Sequence, residues 1–349
     1  MNHLPHFGRY KAALLLLTLL RLYQLLCTGG AAVSAQLLLN RVEGLSQNTV
    51  YALTQDSLGF LWIGTGNGIN RFDGHDMSSY LPAATQEADG LSGRFVRNGF
   101  LTDAAGNLWF ATENGTQYLH RRSGNIKACM IQLQGRRTRL QGTYPLATEG
   151  SRYWLVNESS GLFLYDPARE TAERYPVPVV NGRSVPLQLK GAPDNKGRFW
   201  FATASGLFCF DRAGKQWKRL LPDKAFATVA VQGDTVLASS GTQVYSFLPA
   251  EERWGVLPKS EGASPARISV MYSAPNGAVW IGDDKGNLYV LASGAAAVQW
   301  MGNINAVGQQ GPAHPVYSIF SGNDGSLWIG ADVLGLLQVK TSNSLFYRF

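Results

Sequence analysis

Reaction chemistry needs convergent acids, bases, nucleophiles or metal ligands, and this chain has few of them. Beyond residue 35 it holds three histidines, His75, His120 and His314. No two stand at a metal-ligand spacing, and none has a cysteine nearby in sequence. No Gly-x-Ser-x-Gly nucleophile elbow is present. Gly64-Thr-Gly66-Asn-Gly68 is glycine-rich, but it joins two predicted strands and opens no helix, so it lacks the amides that cradle a phosphate. No metal and no cofactor is expected. Carboxylates are better placed: Glu113, Glu158, Asp283, Asp284 and Asp332 fall near predicted turns. A converging pair would supply the acid and base of a glycosidase. The alternative is solvated turn residues, a role that Asp fills by hydrogen-bonding its own backbone. A third group suits recognition. Asn48, Tyr51, Arg94, Tyr144, Gln188, Arg267 and Tyr317 stand at the entrances of predicted inner strands. Aromatic faces flanked by amide and guanidinium donors are what a carbohydrate site uses. Each of the seven can equally be filler.

The elements that position these residues come from a repeat. Ser-Leu-Gly59-Phe-Leu-Trp62-Ile-Gly-Thr-Gly-Asn-Gly68 recurs as Ala-Ala-Gly106-Asn-Leu-Trp109-Phe-Ala-Thr-Glu-Asn-Gly115 and as Asn-Lys-Gly197-Arg-Phe-Trp200-Phe-Ala-Thr-Ala-Ser-Gly206. Pro-Asn-Gly277-Ala-Val-Trp280-Ile-Gly and Asn-Asp-Gly325-Ser-Leu-Trp328-Ile-Gly are further copies. Trp154 anchors a degenerate copy, and Leu237 replaces Trp in another. The seven anchors stand 47, 45, 46, 37, 43 and 48 residues apart. That period fits a four-stranded propeller blade, and the glycines exclude the long helices of helical repeats. In the first copy, Val50–Asp56 alternates as a half-buried strand, Leu61–Gly64 follows a Gly59 turn, Ile69–Phe72 is third, and an outer strand lies near 78–81. The spacing predicts an all-β, seven-bladed β-propeller of four-stranded antiparallel blades. Trp62, Trp109, Trp154, Trp200, Trp280 and Trp328 are then structural blade anchors, with small Gly or Ala residues beside them letting the next blade approach. Residues 37–42 precede Glu43-Gly-Leu-Ser46 as an outer strand should, so the N-terminal strand is expected to complete the last blade. Residues 344–349 also read as an outer strand, one more than the ring needs. The recognition residues gather in this picture at one mouth of the central channel, and His314 is the histidine nearest that face.

Composition agrees. The 349 residues are 45% hydrophobic and 16% charged, with 39 Gly and nine Trp. This excludes disorder, coiled coil and collagen. Residues 1–35 carry Arg9, Lys11 and Arg21 and no acid, then an apolar run and small residues through Ala35. They read as a signal peptide cleaved before Gln36, with an uncleaved anchor as the alternative; the propeller then spans 36–349. Subtracting those three cations from 31 leaves 28 basic against 24 acidic residues, an ordinary balance with no nucleic-acid footprint. Beyond residue 35 two cysteines remain, Cys129 and Cys209, and they make no disulfide framework.

The run from Gly44 through Trp62-Ile-Gly-Thr-Gly-Asn-Gly68 to Gly74 closely resembles the two-component regulator propeller repeat, found in the periplasmic sensor domains of hybrid two-component histidine kinases. The likeness extends over 37–349, weakest in the third and fifth copies. It implies a periplasmic or secreted sensor that binds glycan fragments or another extracellular signal. Such proteins usually continue into a membrane helix and a kinase. Neither appears here, so the resemblance implies a free-standing propeller or a truncated or split sensor. The partners left open are an oligosaccharide or other small ligand, a histidine kinase or missing downstream module, and a second copy of the chain. A non-enzymatic sensor is the leading reading. A secreted propeller lyase or glycoside hydrolase, and a protein-interaction scaffold, are the alternatives.

Overall fold

The computed structural model describes residues 38–82, 90–97, 99–222, 224–260, 266–307 and 312–340. The expected leader and the expected surplus strand at 344–349 lie outside them. The described chain forms seven four-stranded antiparallel sheets arranged as the blades of a ring. Blades 1 to 6 span 50–80, 101–128, 144–175, 192–220, 228–257 and 268–303. Blade 7 takes three strands from 316–340 and its outer strand from Leu38–Val42. That strand runs antiparallel to the last one, with Leu38 opposite Lys340 and Val42 opposite Leu336. The ring is thus closed by its N-terminal strand, as the sequence order implies. Two small hairpins, Met130–Leu133 with Arg136–Arg139 and Val179–Val180 with Arg183–Ser184, lie in the connectors before blades 3 and 4.

The core sits between blades, and each Trp anchor fills one gap. Trp62 packs with Val96, Leu108 and Phe110 of the blade 2 side. Trp154 meets Phe199, Phe201 and Phe210 of blade 4. Trp328 meets Val50, Leu61 and Ile63, so the same device joins blade 7 to blade 1. All six Trp anchors are at most 7% exposed, which makes them core and removes them as stacking platforms. Leu237 is equally buried and packs against Val279 and Ile281 of blade 6.

A turn acid holds the indole in place. Asp56, Asp103 and Asp194 each accept backbone N–H groups of their own turn through Oδ1. Through Oδ2 they accept the indole N–H of Trp62, Trp109 and Trp200, at 2.8, 2.9 and 2.9 Å. Glu149 does the same for Trp154 at 2.7 Å. A buried indole needs such an acceptor. The turn itself needs Gly, since Gly106 sits at φ +80°.

The small residue after Trp-Ile is where the neighbouring blade comes closest. A Cβ on Gly330 would overlap Ser318 Oγ and stand 2.5 Å from Val50 Cγ1 and 2.8 Å from the Val50 carbonyl oxygen. Val50 is backbone of the next blade, so the overlap cannot be relieved by a rotamer alone. Gly330→Ala is expected to cost about 1–3 kcal/mol by overpacking the ring-closing seam. Urea unfolding with an unchanged midpoint would show that the seam yields freely.

Candidate functional site

One end of the channel holds a cavity of about 510 Å³ to which all seven blades or their entrances contribute. Tyr51 comes from blade 1, Arg97 from the entrance to blade 2 and Glu158 from a blade 3 turn. Gln188 and Lys190 come from the entrance to blade 4, Thr228 from blade 5, Ser269 from blade 6 and Tyr317 from blade 7. A second cavity of about 450 Å³ lies toward the opposite turns, lined by Asp194, Asn195 and Gly233 among others. Lys190 lines both, so it marks the waist of the channel.

Bulges aim the side chains. The inner strands of blades 1, 6 and 7 each slip register at their second residue, between Val50 and Ala52, Ile268 and Val270, and Val316 and Ser318. The unpaired residues are Tyr51, Ser269 and Tyr317, and all three line the cavity. A bulge turns its extra residue out of the sheet alternation, which here means toward the axis. Tyr51 and Tyr317 stack with centroids 5.3 Å apart and planes at 26°.

Arg97 is placed by the packing of the residue before it. Val96 is fully buried beneath Gly64, and its N–H donates to the Thr65 carbonyl at 3.0 Å. In extended chain the neighbours of Val96 point the other way. Phe95 and Arg97 therefore turn together: the Arg97 guanidinium carbon lies 4.9 Å from the Tyr51 ring centroid and 5.0 Å from that of Phe95. Glu113 steadies the segment by accepting the Arg94 and Phe95 backbone N–H groups at 2.9 and 3.0 Å.

Lys190 reaches across the ring. Its Nζ donates to the Tyr317 carbonyl at 3.1 Å, from the entrance to blade 4 to the inner strand of blade 7. Desolvation among the converging strands lowers its pKa to about 8, although part of the side chain remains exposed. Both cations precede the shortest inner strands, Leu101–Thr102 and Ala192–Pro193, two residues each. There the connector, freed from ladder pairing, lies along the channel.

Of the seven recognition residues named from sequence, Tyr51, Gln188 and Tyr317 share the cavity. Tyr144 is half-buried nearby: burial raises its pKa, with Arg97 opposing and Glu158 and Glu113 adding to the rise. Asn48 and Arg94 are exposed on their connectors. Arg267 is exposed too, with its Nε 3.9 Å from Asp284 Oδ2. None of these three lines the cavity. The turn acids do not converge as a catalytic pair. Asp283 is buried and accepts from Asn287 Nδ2 at 2.8 Å and the Tyr289 hydroxyl at 3.2 Å. Asp284 accepts the Arg267 backbone N–H at 3.1 Å, and Asp332 accepts the Thr49 hydroxyl at 2.9 Å across the closing seam. Glu158 alone among the five lines the cavity. His314 lines neither channel cavity, and its backbone N–H donates to Asn305 Oδ1 at 3.0 Å. Among the described residues no group of three His, Cys, Asp or Glu is placed to hold a metal, and no helix is long and apolar enough to cross a membrane. Phe95, Arg97 and Lys190 were not singled out from sequence. For Phe95 and Arg97 the available signal is the apolar Val96 between them, whose burial turns both to the opposite face; Lys190 has none.

Residues 44–67 match the family model described as two component regulator propeller. Over 39 residues the chain is 49% identical to histidine kinase P4 of Formosa agariphila, covering 11% of this chain and 3% of that protein. The fold is similar to the extracellular domain assigned to the hybrid two component system BT3049 of B. thetaiotaomicron, with a TM-score of 0.70 and 17% identity over 87% of this chain and 42% of that one. It is also similar to streptogramin B lyase, with a TM-score of 0.66 and 14% identity over 89% of this chain and 99% of that one. Likeness at these identities is likeness of fold. The chain spans under half of the sensor domain and a small fraction of the kinase.

Proposed function

We propose that this chain, which carries the two component regulator propeller repeat, is a ligand-sensing module that works outside the cytoplasm. It binds an oligosaccharide fragment at the mouth of the central channel and hands the signal to a kinase module. The observation that carries this reading is the stacked Tyr51–Tyr317 pair, flanked by Arg97 and Gln188, inside the cavity where all seven blades meet. Flat aromatic faces beside planar donors suit the apolar face and hydroxyl rim of a sugar ring. Seven-blade convergence also suits sensing, since a ligand there touches every blade and can bias their mutual packing. Two observations favour binding over turnover: one carboxylate lines the cavity, and His314 lies outside it. A glycosidase needs two carboxyl groups flanking the scissile bond.

The test is a melting-temperature screen of the purified chain against oligosaccharides, since a ligand that binds the folded state alone raises the midpoint. Tyr51→Ala and Tyr317→Ala are each expected to weaken binding at least tenfold, about 1.4 kcal/mol, without loss of cooperative unfolding. Binding that survives both substitutions overturns the assignment.

A further inference from the structure

We infer that the ligand is an acidic saccharide, and that its carboxylate is received by Arg97 and Lys190. This rests on reading the channel mouth as a saccharide site, and adds to it the charge of the ligand. The first observation is that neither cation has an acidic partner. Some cations elsewhere on the ring pair with carboxylates, as Arg198 with Asp194 and Lys218 with Glu252, each at 2.7 Å; Arg97 and Lys190 instead face into a shared cavity. Among the described residues Arg97 is held by ring faces alone, and Lys190 by a single backbone carbonyl.

The second observation is the geometry of Arg97. Tyr51 and Phe95 both lie against its guanidinium. Among the described residues none of its N–H groups donates a hydrogen bond to the chain, so the edge of the planar group is open to a ligand. That edge is a fork of parallel donors, the shape that binds a carboxylate bidentately.

The third is the donor and acceptor balance of the lining. Sugar hydroxyls donate as well as accept, so a neutral sugar needs both in its site. Guanidinium and ammonium only donate. Ser269 and Thr228 are already engaged, Ser269 Oγ donating to the Val316 carbonyl at 2.6 Å and Thr228 Oγ1 sharing a hydrogen bond with Ser239 Oγ at 2.9 Å. Glu158 and the Gln188 amide oxygen still accept in this lining, but the two cations outnumber its one carboxylate, and an acceptor-only anionic group matches that surplus. The two cations are also continuous in space. Lys190 bonds Tyr317, Tyr317 stacks on Tyr51, and Tyr51 lies against Arg97. A sugar ring on the tyrosines has its substituents within reach of both. The Lys190 ammonium uses one of its three N–H donors on the Tyr317 carbonyl, which leaves others for a carboxylate that bears a full charge.

The experiment is titration calorimetry of the purified chain with two panels of oligosaccharides matched in length. One panel is uronic (galacturonate, glucuronate, mannuronate and guluronate oligomers), the other neutral. A uronic oligomer is expected to bind at least tenfold more tightly than its neutral counterpart, with affinity falling as salt rises. Arg97→Gln is expected to lose at least tenfold toward the uronic ligand and under threefold toward any neutral one; Lys190→Met follows the same pattern. Melting temperatures confirm that both variants fold. Equal affinity for the two panels, or uronide binding untouched by both substitutions, overturns the inference. Binding of neutral sugars alone overturns it while leaving the saccharide reading intact. Silence from both panels removes the saccharide reading and this inference with it.

Discussion

Asp103→Ala is expected to lower the unfolding free energy by about 3–5 kcal/mol, a loss that only a few single-site mechanisms reach. The carboxylate is 8% exposed and accepts five hydrogen bonds. Oδ1 takes the Ala105 and Asn107 backbone N–H groups at 3.0 and 2.8 Å. Oδ2 takes Asn107 Nδ2 at 2.9 Å, Trp109 Nε1 at 2.9 Å and the Tyr153 hydroxyl at 2.8 Å. Tyr153 belongs to blade 3 and stacks on Trp109 with centroids 3.7 Å apart. One side chain therefore closes a turn, orients an anchor and ties two blades. Removing it strands buried donors, and that desolvation dominates the cost. Asp324, an exposed carboxylate that caps the corresponding turn of blade 7 through Ser326, is the comparison; Asp324→Ala is expected to cost under about 1 kcal/mol. The pH dependence has a definite sign. Burial raises the Asp103 pKa, but donations from Trp109, Asn107 and Tyr153 outweigh it, so the folded value lies below the ordinary 3.8. Its contribution is complete above the unfolded pKa and is lost as pH falls through the folded one. Urea unfolding at pH 7 and near pH 3 measures both effects. A difference between Asp103→Ala and wild type that is small at pH 7 would place the blade 2–3 seam elsewhere.

The second large effect concerns ring closure. A chain that begins at Glu43 lacks the strand Leu38–Val42 and five paired positions opposite Leu336–Lys340. It also loses Val42 from the cluster around Trp328 and Leu336, and Leu39 from the one around Ile329 and Leu337. Burial of two aliphatic side chains is worth about 1.5–3 kcal/mol each, and each net backbone hydrogen bond about 1 kcal/mol, less the entropy of ordering the strand. The expected loss is at least about 4 kcal/mol. The exposed edge at Gly335–Lys340 becomes a template for another strand, so the shortened chain is expected to self-associate. A synthetic peptide of residues 37–43 restores the monomer if the edge is the cause. Size-exclusion chromatography with urea unfolding reads both. A monomeric shortened chain of full stability would mean that the last blade holds without its outer strand.

Much of this architecture is visible in the amino-acid order. The anchor period, six Trp and Leu237, counts seven blades, and the Gly or Ala that follows most of these anchors marks where the next blade approaches. Glu43-Gly-Leu-Ser46, repeated as Asp89-Gly-Leu-Ser92, locates the closing strand. The turn Asp-x-x-Gly is legible as a turn. Its second task, accepting the indole six residues on, is not, because that bond appears only once turn and strand have folded back on each other. The acids Glu113, Asp284 and Asp332 read equally well as catalytic or solvated. Their use as clasps, Glu113 and Asp284 on the preceding connector and Asp332 across the closing seam, depends on a neighbour whose position the local sequence does not encode.

The candidate site divides in the same way. Tyr51 and Tyr317 are legible because both follow Val at a strand entrance, and the bulge there turns them inward. Arg94 was the natural choice from sequence and Arg97 is the residue in the channel, because Val96 fills the space over Gly64 and sets which neighbours face the axis. Lys190 carries no local signal at all; a two-residue inner strand and an opposite blade give it its place. What the sequence alone determines is the ring: blade number, anchors and closure follow from short motifs whose packing recurs, with local variants, from blade to blade. Which side chains meet at the mouth is decided by tertiary structure, since they arrive from seven entrances scattered from 51 to 317, and each irregular entrance takes its direction from the blade it packs against.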